Sequence, residues 1–172
     1  FDTHMHLDDE KFDEDREELI SSLQEKGVDL VVNPGACIKT SIESVELANK
    51  YDFIYAAVGV HPHDVGELDE TAIDTLRKLA TENEKVVAIG EIGLDYYYDN
   101  YPRDIQQEWF IKQIELANEL KLPIIIHDRD AHGDTLDILK EFPNVKGILH
   151  CFSGSVEFAI ECIKLGYYIG IG

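Results

Sequence analysis

An α/β fold built from consecutive βα units is the architecture this sequence predicts, and three observations carry it. Seven short apolar runs recur along the 172 residues, and amphipathic stretches at helical spacing separate them. No Gly-rich fingerprint follows any run, which argues against an open dinucleotide-binding sheet. The strand candidates span residues 1–7, 30–33, 54–60, 86–92, 123–127, 147–152 and 167–171. Most are near-continuous in Val, Ile and Ala, the composition of parallel strands covered on both faces. Between them, Phe12, Arg16, Leu19, Ile20 and Leu23 fall on one helical face, with Gly27 placed as a C-cap. Ile42, Val45 and Ala48 repeat that spacing, and so do Ile73, Leu76 and Ala80. Phe110, Ile114 and Ala117 follow in a longer helix over 104–121, which Pro123 stops. Leu136, Leu139 and Phe142 mark another, stopped by Pro143. Seven strands with six helices between them match a TIM (β/α)8 barrel, which usually takes about 250 residues. The expectation is therefore a single domain over 1–172, a TIM barrel C-terminally truncated after about strand seven. Because the sequence starts at Phe1 and stops at Gly172 inside a strand pattern, both ends are expected to have been cut.

Composition bounds the function. Asp and Glu outnumber Lys and Arg by 35 to 15, for a net charge of -20, so bulk electrostatic coating of nucleic acid or anionic membrane is excluded. A local grip on phosphate is not, because bound cations reverse the field around them. No apolar run approaches the ~20 residues of a membrane span, and no signal or lipidation motif is visible. The cysteines (Cys37, Cys151, Cys162) form no CxxC pair and read as reduced thiols, the pattern of a cytoplasmic protein. Oligomeric state has no signature here.

The chemistry lies in the histidines. Asp2, His4 and His6 alternate along the first strand candidate and share one face, so both imidazoles can reach one metal. Glu91, His127 and His150 fall at the C-terminal ends of later strands, the rim where barrel active sites are built. A lone histidine at a strand end is more often structural, and HxH alone is a weak motif. The joint pattern decides for a metal site, since every ligand type falls where one geometry would gather it. Imidazole with carboxylate suits Zn, Mn, Fe or Ni, and two such ions bridged by a carboxylate form a hydrolytic centre. His61 and His63 face the same mouth by parity and are candidates for substrate positioning or proton transfer. Asp95 either orients a ligand, accepts a proton or is simply solvated. Arg129 either presents its fork to a phosphate oxygen or pairs with Asp128, Asp130 or Asp134. His132 reads as a solvated or helix-entry residue. Tyr96, Tyr97, Tyr98 and Tyr101 either stack on a base or sugar or cap the rim. Cys151 points away from His150 along a strand and is not counted as a ligand.

Phe-Asp-Thr-His-Met-His-Leu, Gly-Val-His-Pro-His, Gly-Glu-Ile-Gly-Leu-Asp-Tyr, Ile-His-Asp-Arg and His-Cys-Phe-Ser-Gly occur in that order. Together they closely resemble the TatD family of metal-dependent deoxyribonucleases, a branch of the amidohydrolase-like TIM-barrel hydrolases. The resemblance implies two divalent ions (Mg, Mn, Zn, Ni or Fe). His4 and His6 would hold one, and Glu91 would bridge it to a second held by His127 and His150. It implies hydrolysis of DNA phosphodiester bonds, removing nucleotides from single-stranded ends, with Glu91, His61 and His63 in catalytic roles. His63, Arg129 and Asp95 would contact substrate. The family pattern also has a Thr-Asp pair ending strand eight, whose aspartate a longer parent chain is expected to supply. Two competing readings remain at this stage. One is an amide, lactone or ester hydrolase on the same metals, although many such relatives use a carboxylated lysine where this chain has Glu91. The other is an inactive barrel fragment without the last aspartate.

Overall fold

The apolar runs form a six-stranded parallel sheet whose spatial order follows the chain, β1-β2-β3-β4-β5-β6. The strands are β1 (Val31–Pro34), β2 (Ile54–Val58), β3 (Val86–Asp95), β4 (Ile124–Arg129), β5 (Gly147–Leu149) and β6 (Tyr168–Ile169). Helices α1 (Arg16–Leu23), α2 (Ile38–Lys50), α3 (Thr71–Glu82), α4 (Arg103–Leu120), α5 (His132–Glu141) and α6 (Val156–Lys164) alternate with them. The computed structural model describes residues 1–171; Gly172, the last residue of the sequence, lies outside them. No helix among the described residues is long and apolar enough to cross a membrane.

Strand parity separates two faces. Val31, Ala56, Val58, Ile89, Ile124 and Ile126 pack into the large cluster shared with the helices. Their neighbours Val32, Ala57, Ala88 and Ile125 form a second cluster on the opposite, inner face. The alternation is that of a barrel wall. The sheet also curls. Segment 1–7 pairs with β1, which would set it about 24 Å from β5 in a flat sheet of the usual strand spacing. Yet the His4 and His150 rings stack with centroids 3.7 Å apart. Among the described residues the seven apolar runs thus give six strands, and the first candidate is the exception. Segment 1–7 contributes an isolated bridge, Asp2 to Val31. The Asp2 carboxylate accepts from the His4 N–H at 2.9 Å, and Leu7 N–H turns back to the Met5 carbonyl at 3.1 Å. Such local bonds compete with a ladder and leave a strap instead of a strand.

Other boundaries shift for local reasons. α1 begins at Arg16 and not at Phe12, which ends a short 3-10 turn. Gly27 lies past the helix at φ +86°, a backbone conformation that favours glycine. In α2 the buried stripe is Ser41, Ser44, Val45 and Ala48, while Ile42 is exposed. Ser41 packs against Gly35, which leaves no room for a side chain larger than hydrogen at position 35, and Ser44 Oγ accepts from Asn33 Nδ2 at 2.8 Å. β3 runs on to Asp95, past the expected end at 92, whereas β5 stops at Leu149, so His150 and Cys151 sit in the turn beyond it.

Candidate metal centre

Glu91 reaches the inner face through a bulge. Ile89 pairs with Ile124 and Ile92 with Ile126, so β3 carries one extra residue between these pairs. Without that residue, alternation from Ile89 would send Glu91 outward among the helices. With it, Ile92 and Leu94 return to the helix-side core, and Glu91 and Asp95 point into the barrel mouth. Re-aiming a side chain is a common use of a bulge.

The Glu91 side chain is 4% exposed, and each oxygen faces its own set of imidazoles. Oε2 lies 3.3 Å from His4 Nε2 and 3.4 Å from His6 Nε2. Oε1 lies 2.6 Å from His150 Nε2, 3.2 Å from His127 Nδ1 and 3.7 Å from His61 Nε2. The nitrogens also converge on one another: His4 Nε2 and His6 Nε2 are 3.0 Å apart, His127 Nδ1 and His150 Nε2 3.3 Å. His4, Glu91 and His150, and again His61, Glu91 and His127, offer ligand atoms that all lie within 4.8 Å of one another. The strap brings His4 and His6, the turn after β5 brings His150, and β4 places His127 at its inner edge.

Asp95 fixes one of these rings. It is 1% exposed, which overturns its reading as a solvated loop aspartate: it ends β3. Its Oδ2 takes His127 Nε2 at 3.0 Å and His63 Nε2 at 2.8 Å, and its Oδ1 accepts from the Tyr97 and Tyr98 N–H groups. With Nε2–H committed to Asp95, His127 turns Nδ1 to Glu91. Carboxylate, imidazole and ligand-facing nitrogen in that order are the usual support of a metal-bound histidine.

The electrostatics ask for positive charge at the centre. Burial opposes ionisation of Glu91, but hydrogen bonds from His127, His150, His4 and His6 outweigh it and hold the carboxyl well below its usual range. Burial lowers His4, against the pull of Glu91. For His6 and His127 burial also acts downward, but the neighbouring carboxylates prevail and raise both. Burial pushes His61 down to about 3, so this imidazole is neutral. Either protons or metal cations must occupy the gaps between these lone pairs and oxygens. The donor set fits divalent metal: imidazole nitrogens and one central carboxylate, buried, with orienting partners behind them. His4 Nδ1 is buried and has no hydrogen-bond partner among the described residues, so this ring's polar commitments lie on its Nε2 side.

These groups line a cleft of ≈ 630 Å³ at the sheet's C-terminal edge, and His61, His63, Asp95 and Arg129 line it with them. Arg129 is the one lysine or arginine on that lining. It pairs with none of Asp128, Asp130 or Asp134. Its guanidinium lies 4.0 Å from the Tyr97 ring centroid and 4.9 Å from that of Tyr98. Tyr98 lines the cleft, while Tyr96 turns away to bond Asp134 at 2.7 Å, and Tyr101 packs under Gly66. His132 starts α5 and bonds Asp128 at 2.7 Å, as a helix-entry contact. Cys151 also lines the cleft; the strand-parity argument against it fails because β5 has already ended. Sequence reasoning missed Asn33, a fully buried amide on β1; a polar residue inside an apolar run was its signal.

Over residues 1–172 the sequence matches the model of a family described as TatD related DNase. It is 48% identical over 174 residues to the metal-dependent hydrolase YabD of Bacillus subtilis, covering 100% of this chain and 68% of that protein. It is 37% identical over 173 residues to the 3'-5' ssDNA/RNA exonuclease TatD of Cronobacter turicensis, covering 99% of this chain and 65% of that one. Among solved structures, the TatD homolog YJJV of Escherichia coli K12 superposes with a TM-score of 0.91 at 33% identity, over 98% of this chain and 66% of that chain. A TatD family hydrolase from Entamoeba histolytica gives a TM-score of 0.88 at 27% identity, over 99% and 64%. The chain therefore spans about two thirds of the length of the relatives it matches.

Proposed function

The chain belongs to the TatD-related DNase family, and from that premise we propose that it carries the metal centre of a divalent-metal-dependent hydrolase of DNA phosphodiester bonds, acting on single-stranded ends. The observation that supports this most is Glu91, whose two oxygens face separate imidazole sets. In this reading His4 and His6 would hold one cation and His127 and His150 a second, with Glu91 offering an oxygen toward each pair. The metals, when bound, supply Lewis acidity toward phosphate oxygens and lower the pKa of a bound water. The remaining work falls to the chain. Asp95 orients His127 and, with His63 at 2.8 Å, forms a pair that can hold a proton beside the substrate. His61, kept neutral by burial, can accept or donate a hydrogen bond without adding charge. Arg129 presents its N–H groups to phosphate, and Tyr98 offers a face on which a terminal base can stack.

The net charge of -20 sets a limit on binding. Attraction to DNA rests on the cleft alone, so binding should be weak and show little sequence preference. Arg129 also favours phosphodiester over amide or lactone substrates, since a neutral carbonyl offers that cation a hydrogen bond without the charge of a phosphate oxygen. The discriminating experiment is a substrate panel on the full-length protein in Mg²⁺ or Mn²⁺. Release of nucleotides from single-stranded DNA ends, with no turnover of amides or lactones, is expected. Faster hydrolysis of a lactone than of any phosphodiester would reverse the assignment. Arg129→Met should raise KM about 10–100-fold, the range for one lost charge-assisted bond, while kcat changes less. An unchanged KM would remove Arg129 from the substrate site.

A further inference from the structure

Asn33 makes no contact with the cleft, yet its amide holds the chain that leaves it. It sits in β1 on the helix side, 0% exposed. Its Oδ1 accepts from Leu7 N–H at 2.5 Å, a donor shared with the Met5 carbonyl. Its Nδ2 donates to Asp8 Oδ1 at 2.7 Å and to Ser44 Oγ at 2.8 Å. The same Asp8 Oδ1 lies 3.9 Å from His6 Nδ1, on the opposite side of the ring from the nitrogen that faces Glu91. Arg16 grips the same stretch from outside, donating to the carbonyls of Leu7, Asp8 and Asp9.

The strap needs such support. His4 and His6 do not lie on a regular strand, and the backbone bonds that tie residues 2–6 to β1 involve Asp2 and Met5. Beyond His6 no ladder bond among the described residues fixes the exit of the chain, and Leu7 N–H goes to Asn33 Oδ1 and the Met5 carbonyl, so the His6 side of the strap depends on that side-chain bond. A misplacement of about 1 Å is enough to spoil a ligand constellation. A buried amide is a costly way to fill a core position unless its bonds are needed.

We propose that Asn33 is a positioning residue for the His4–His6 pair: it fixes where the strap leaves the sheet and aims Asp8 at His6 Nδ1. The inference rests on the metal-centre reading above. Mn²⁺ titration calorimetry on the full chain, paired with thermal melts, tests it through three variants. Asn33→Ala and Asp8→Asn should each weaken one of two Mn²⁺ sites about 10–100-fold, the effect of losing a partner behind a metal ligand, and leave the other unchanged. Ser44→Ala removes the Asn33 bond that does not reach the strap, so it should lower Tm while both sites keep wild-type affinity. Should Asn33→Ala fail to fold, Asp8→Asn decides. Wild-type affinities at both sites in Asp8→Asn, or equal weakening by Ser44→Ala, would overturn the proposal and leave the metal centre standing. Absence of Mn²⁺ binding in the wild-type protein would instead overturn the metal centre, and this inference with it.

Discussion

Glu91→Gln is expected to lower hydrolysis at least about 100-fold while leaving the fold intact. Outer partners of a metal ligand alone are worth about 10–100-fold, and Glu91 stands at the centre itself, with imidazoles on both of its oxygens. Glutamine keeps the shape but offers one neutral acceptor where the carboxylate offered two charged ones. Its NH₂ group would point at one imidazole set and repel any cation there. The fold should survive because the bulge that aims the side chain is made by backbone pairing, and Ile89 and Ile92 keep their core positions. Steady-state kinetics with far-UV circular dichroism measures both. Loss of helical signal together with activity would mean that Glu91 is mainly structural.

The second large effect is on metal content. His127→Ala should take the protein from two bound divalent ions per chain to one, read by elemental analysis after dialysis against Mn²⁺. The variant removes one ligand and also the group that Asp95 orients at 3.0 Å. Asp95 keeps His63 and the two tyrosine N–H donors, so its buried carboxylate is not left bare. Asp95→Asn should give an intermediate loss, since His127 would remain but its tautomer would no longer be fixed. Equal metal content in wild type and His127→Ala would remove this histidine from the centre.

Much of this site was readable in the sequence, for a physical reason. Parallel strands buried on both faces write themselves as runs of Val, Ile and Ala, so a histidine or glutamate just after such a run is conspicuous. That is how His127, His150, His61 and His63 could be placed at one mouth. What could not be read depends on pairing. Period-two counting from Ile89 would put Glu91 on the wrong face, and only the extra residue opposite Ile124–Ile126 corrects it. Segment 1–7 looked like a strand as the first of the apolar runs, but the Asp2 side chain bonds the strap locally. The rings still meet because the sheet curls, a property no single strand records. Asp95 looked like a loop residue since the continuation of β3 through Gly93 has little strand propensity. Gly93 is tolerated there because any side chain would collide with the His127 backbone. Arg129, which the sequence left between phosphate and neighbouring aspartates, is held by tyrosine rings from the turn that Asp95 pins.

On the proposed reading Glu91 would serve two cations, each held by its own imidazoles. Anomalous scattering from crystals of the full-length protein grown with Mn²⁺ tests it in one measurement. Two peaks are expected, one facing Oε2 beside His4 and His6, the other facing Oε1 beside His127 and His150. A single peak that does not touch Glu91, or no peak at this mouth at saturating Mn²⁺, would rule out a Glu91-centred pair of cations.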